Sequence, residues 1–175
     1  MADPESSPAA ASPAAHGATD EDTRLRDLAL AQPDFARHLG ARLISATPDR
    51  VELAMTVTQD LANRNGVLHG GAIMGLADNA GGTATFLNLV PGASTTTLES
   101  KTNFIRPIRI GDEARAIATP IHRGRTTQIW QTHVLRGDGR VAAIVTQTQL
   151  VLDWKDPSPA SGNDAGTAAG TVADG

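Results

Sequence analysis

Asn63-Arg64-Asn65-Gly66-Val67-Leu68-His69-Gly70-Gly71-Ala72-Ile73-Met74-Gly75-Leu76-Ala77-Asp78-Asn79-Ala80 combines a polar loop, a glycine pair and a helical pattern that carries one carboxylate two turns in. From Ile73 the apolar residues recur at Leu76, Ala77, Ala80, Ala84 and Leu87, the spacing of one buried helical stripe. The pattern predicts a helix from about His69 to Leu89, ended by Pro91-Gly92. Its glycines are costly there: Gly71, Gly75, Gly81 and Gly82 each lose roughly 1 kcal/mol relative to alanine in a helix interior. At about 100° per residue, Gly71, Gly75, Asp78 and Gly82 fall on one narrow stripe, a small-residue seam where another backbone can approach.

Distance gives the seam a purpose. The N–H groups of Gly70 and Gly71 at the helix start form a site for an oxyanion or a polarised carbonyl, helped by the helix dipole. Asp78 is the obvious base, but a rise of ~1.5 Å per residue puts it about 12 Å from Gly70, too far to act on the same carbonyl carbon. If both groups serve one reaction, a second chain must complete the site. Two such helices running antiparallel across a twofold axis bring Gly70 of one subunit to Asp78 of the other and generate two equal sites. The sequence therefore predicts an obligate homodimer with shared active sites.

The pattern Asn63-x-x-Gly66-x-Leu68-His69-Gly70-Gly71-(x)6-Asp78, followed by Asn103-Phe104-Ile105-Arg106-Pro107-(x)3-Gly111-Asp112 and Gly139-x-Val141-Ala142, resembles the hotdog-fold acyl-CoA thioesterases, in particular their phenylacetate-pathway (PaaI-like) branch. The resemblance covers roughly residues 40–152. It implies an α+β hotdog fold, an antiparallel sheet of five to six strands wrapped around one central helix. It also implies hydrolysis of an acyl-CoA thioester to free acid and CoA, without a cofactor. Asp78 would act on the thioester as a general base aligning water or as a nucleophile forming an anhydride. The Asn63 side-chain amide would assist at the carbonyl, and the Thr97 hydroxyl would stand where the family has a serine that holds the attacking water. Asn63 before a glycine-containing loop also reads as turn chemistry. His69 reads as shaping the turn before the helix, and with Gly71 it belongs to the expected substrate-binding entrance.

Length and composition agree with one domain. The chain has 175 residues, no cysteine and few aromatics, which excludes a disulfide framework and a cysteine-based metal site. No second histidine lies at ligand spacing from His69, so no metal is expected. The start is acidic and no run of 18 apolar residues exists, so the plain expectation is a cytoplasmic protein with no membrane or nucleic-acid partner. The formal charge of −4 is uneven: eight carboxylates lie in residues 1–22 and 156–175, and the remainder carries +4. A mildly basic core suits an anionic ligand such as CoA.

Residues 1–19 and 156–175 are rich in Pro, Ala, Ser and Gly and are expected to be disordered tails flanking a domain over 20–155. Thr23 is the expected cap of a short helix broken near Pro33, with a further turn through Phe35 and Leu39. Strands are expected at Ala41–Ser45 and over Val51, Leu53, Met55 and Val57. Four more follow the helix at about 94–106, 112–122, 125–136 and 140–152. Arg106, Arg109, Arg123 and Arg125 are candidates for CoA phosphates, being fork charges on loops. Two other functions use the same fold: a hotdog hydratase, for which no His-Asp or His-Glu pair stands at suitable spacing, and a non-catalytic acyl-CoA or aromatic-ligand binder, which has no need of Asp78. A quaternary step to a homotetramer is also expected, with its arrangement open.

Overall fold

The computed structural model describes residues 19–153. Two short helices, α1 (Asp20–Leu30) and α2 (Asp34–His38), precede strands β1 (Arg42–Thr47) and β2 (Arg50–Thr56). The long helix α3 (Gly70–Phe86) follows, then β3 (Ala93–Phe104), β4 (Glu113–Arg123), β5 (Thr127–Arg136) and β6 (Val141–Asp153). The six strands form one antiparallel sheet in the order β1-β2-β4-β5-β6-β3. α3 packs on one face of it, as the hotdog expectation requires.

The packing follows from side-chain size. Ala114, Ala116 and Ala118 of β4 are fully buried against the helix side of the sheet, and short side chains there let α3 sit close. The stripe residues Ile73, Leu76, Ala77, Ala80, Ala84 and Leu87 are all buried. α3 is shorter than expected, with Leu87 as its C-cap, so Asn88 and Leu89 already lie in the connection to β3. Asn88 Nδ2 donates to the carbonyls of Ala84 and Pro48, which stops the helix before Pro91 is reached.

Thr19, expected in the tail, is instead the N-cap of α1, and Thr23 lies inside that helix. The Thr19 hydroxyl accepts from the Asp22 N–H, while the Asp22 carboxylate accepts from the Thr19 N–H and hydroxyl, a reciprocal capping box. Those bonds, the backbone one foremost, hold the Asp22 carboxyl below the usual carboxylate range. The remaining tail expectations, for residues 1–18 and 156–175, fall outside the described residues, as do residues 154–155 of the expected domain. Among the described residues no helix is long and apolar enough to cross a membrane.

Strand β3 forms the edge of the sheet and contains a bulge between Thr97 and Glu99. Leu98 is the extra residue, so the side-chain phase changes there. Thr95 and Thr97 pair with β6 in the phase of Gln149, whereas beyond the bulge Ser100 and Thr102 pair with Gln147 and Val145. On the opposite side of the sheet Glu52 is buried in β2 and accepts from Arg50 and Arg115. Burial pushes its carboxyl up, but the hydrogen bonds and positive charge of Arg115 and Arg50 outweigh that and leave it below the ordinary glutamate value.

Candidate active site

Two stations lie along α3. At the first, the chain enters the helix through His69, whose extended backbone makes it the N-cap. His69 Nδ1 accepts the Gly71 N–H at 2.9 Å, and the His69 carbonyl accepts from Ala72 and Ile73. Of the first-turn donors only the Gly70 N–H is left without a partner among the described residues. This corrects the expectation that Gly70 and Gly71 act together: the imidazole closes the second donor. The same bond gives His69 its place as a helix cap.

A pocket of about 390 Å³ opens beside Gly70 and is lined by Asn63, Phe104 and Arg106 among others. The Asn63 Oδ1 accepts from the N–H groups of Asn65 (2.9 Å) and Val67 (3.4 Å), so its carbonyl shapes the turn. Its NH2 has no partner among the described residues, and Asn63 lines the same pocket as Gly70. Turn chemistry and a free amide donor are thus both present in one side chain. The Phe104 ring packs over Gly70, with Cζ 3.1 Å from where a Cβ would stand.

At the second station Asp78 sits on the solvent side of α3, eight residues on and about 12 Å away by helix rise. Its Oδ1 accepts two hydrogen bonds, from Gln147 Nε2 at 2.6 Å and from the Thr97 hydroxyl at 3.0 Å. Thr97 in turn accepts from Gln149 Nε2 at 2.9 Å, and Gln149 Oε1 accepts from the Thr95 hydroxyl at 3.1 Å. Oδ2 has no partner among the described residues. A second pocket, of about 360 Å³, adjoins the carboxylate, with walls from Leu28, Ala31, Pro33, Gly82 and Phe86. The seam is therefore divided. Gly75 is covered by Phe35 and Leu39 of the same chain, each 3.0 Å from a would-be Cβ, whereas Gly82 faces open space at the pocket.

The sequence pattern of the thioesterase superfamily matches residues 65–143, the stretch that contains Gly70, Asp78 and Thr97. A thioesterase from Pseudomonas aeruginosa, solved in a mutant form, is 30% identical and aligns with a TM-score of 0.68 over 73% of this chain and 93% of its own. The chain belongs to the thioesterase superfamily. The 1,4-dihydroxy-2-naphthoyl-CoA hydrolase of Escherichia coli is 28% identical over 124 residues, 71% of this chain and 90% of that protein. The PaaI protein of the E. coli phenylacetic acid degradation operon, at 22% identity, shares the fold with a TM-score of 0.70 over 78% of this chain and 96% of its own. The hotdog fold and thioester hydrolase class expected from the sequence are thus both met.

In this thioesterase the arginines separate. Arg106 borders the Gly70 pocket and donates to the Val141 carbonyl at 2.7 Å, and Arg109 lines a separate pocket beside Asn65 and Gly66. Arg123 is engaged at the other end of the helix, by the Asp49 carboxylate (2.7 Å), the Pro48 carbonyl and Asn88 Oδ1. It pins the β1–β2 turn to the end of α3. Arg125 is exposed in the β4–β5 turn nearby. Gln147 and Gln149 are the site residues that sequence reasoning missed. They share the buried phase of β6 with Val145, but Thr146 and Thr148 occupy the other phase, so polar residues on both faces erase the alternation that would have exposed them.

Among the described residues no cluster of three or more His, Asp or Glu side chains could hold a metal.

Proposed function

We propose that this thioesterase hydrolyses an acyl-CoA to free acid and CoA, with Asp78 of one subunit and the Gly70 N–H of another acting on the same thioester. The observation that carries this reading is the division of labour along α3. The carboxylate is hydrogen-bonded through one oxygen and bare on the other beside an apolar pocket, and the unpartnered helix donor sits one station away in a pocket of its own. Reversing a second α3 alongside the first brings one of each together. The Gly70 N–H then polarises the carbonyl as negative charge develops, the Asn63 NH2 assists from the same pocket, and Asp78 Oδ2 aligns water or attacks. Thr97, hydrogen-bonded to Asp78, is placed to hold that water.

Pairing of subunits is supported by the exposed edge. β3 ends the sheet, and Leu98 and Phe104 on it are 59% and 55% exposed, unusual for large apolar side chains in a strand. A second β3 laid against this edge would cover them, and dimers pairing further would give the tetramer. The acyl group occupies the pocket walled by Leu28, Pro33 and Phe86, and Arg106 is the arginine best placed to meet CoA. The cytoplasmic setting and the absence of a cofactor remain part of the proposal. A thiol-release assay over a panel of acyl-CoA thioesters, run on wild type and Asp78→Asn together, tests it: turnover that depends on Asp78 is expected, and equal rates in both would remove Asp78 from the reaction.

A further inference from the structure

Gly81 has no evident reason to be glycine. It lies outside the seam, its φ is negative, and it sits mid-helix where alanine is preferred. Its neighbour on β6 of the same chain supplies the reason. A Cβ on Gly81 would overlap Gln147 Oε1 and stand 3.1 Å from Gln147 Cδ, so the carboxamide of Gln147 occupies the space beside the helix that a side chain on Gly81 would need. Gln147 is fully buried, and its Oε1 has no hydrogen-bond partner. The amide is nonetheless oriented without ambiguity, because only its nitrogen can donate to the Asp78 carboxylate 2.6 Å away. A buried carboxamide with an unsatisfied oxygen is costly where an aliphatic residue would pack well. What it provides is one strong bond to Asp78.

We propose that Gln147 is the positioning residue for Asp78, and that Gly81 is glycine in order to admit it. The inference rests on the reading of Asp78 as the reacting carboxylate. Gln147 and Thr97 approach the same oxygen, one from β6 and one from β3, so rotation of the carboxylate is blocked and Oδ2 is presented to the pocket. Thr97 is itself steadied by Gln149, but it lies on the exposed edge strand, whereas Gln147 is inside the core. The buried donor is therefore the rigid one, and Gly81 sets the depth at which it can lie.

The test uses the full chain and a thiol-release assay with the best acyl-CoA from the panel. Gln147→Leu, apolar and of similar volume, is expected to lower kcat about 10- to 100-fold while KM changes less than about threefold, the signature of a lost transition-state alignment. Gly81→Ala should reproduce that loss, and Gly81→Ala with Gln147→Leu should fall no further than either alone. In an Asp78→Asn background Gln147→Leu should leave the residual rate unchanged. A Gln147→Leu enzyme with kcat within about twofold of wild type, beside an inactive Asp78→Asn enzyme, would overturn the positioning role and leave Asp78 in place. Full activity of Asp78→Asn would instead remove the reading on which both rest. If Gly81→Ala does not fold, Gln147→Leu and the Asp78→Asn background decide the matter by themselves.

Discussion

The two stations of α3 differ in how the chain completes them. Around Gly70 the site is made of backbone: a capped helix start, one unpartnered N–H, and a turn held by Asn63. Around Asp78 it is made of side chains drawn from three elements, with Thr97 on β3 and Gln147 and Gln149 on β6. The first is local and legible in a few consecutive residues. The second is assembled across the sheet, and each partner is remote in sequence. On the proposed function each is a half-site, since one has the donor without the carboxylate and the other the carboxylate without the donor.

The sharpest way to break this contrast is to remove the carboxylate. Asp78→Asn keeps the size of the side chain and should lower kcat by roughly 10²–10⁴ with the fold intact by circular dichroism. Next comes Gly70→Pro, which deletes the single N–H at the first helical position, where backbone geometry suits proline after the extended His69 and the Phe104 ring must shift slightly to admit its Cβ. A loss of about 10²–10³ in kcat is expected, and a proline enzyme of normal activity would take the helix start out of the reaction. Mixing Asp78→Asn chains with Gly70→Pro chains should then recover part of the activity through heterodimers with one intact site. No recovery after subunit exchange has been shown by mass spectrometry would argue for sites complete within one chain.

Smaller effects separate the stations from the scaffold. Glu52 lies away from both, so Glu52→Gln should leave kcat alone while lowering stability by about 1 kcal/mol at neutral pH. The effect is modest because the Arg50 and Arg115 side chains are 43% and 39% exposed and screened by solvent. Because the folded carboxyl lies below its ordinary value, its contribution is present above about pH 4.3 and is lost as pH falls through the folded value. The stability difference between wild type and Glu52→Gln in urea should accordingly shrink on acidification. Smallest is His69→Ala, which uncaps the Gly71 N–H and should cost about 0.5–1 kcal/mol in the same experiment. It also frees a second donor beside Gly70, so an unchanged or raised kcat would fit the cap, whereas a collapse of kcat would give the imidazole a larger part.

The helix, its stripe and the strands were legible because they depend on periodicity, which neighbouring residues carry. So were Asp78 and Gly70, and the distance that keeps them apart, since a helix converts sequence separation directly into length. Which donors surround Asp78 was not legible. The bulge at Leu98 decides which β3 hydroxyls face the helix, and an extra residue in a strand leaves no mark on an alternation already blurred by four small polar residues. The closing of the Gly71 donor by His69, the covering of Gly75 by Phe35 and Leu39, and the recess in which Gln147 meets Gly81 were likewise set by tertiary structure. Each depends on where a distant side chain comes to rest, and packing over long sequence separations fixes that where local preference cannot.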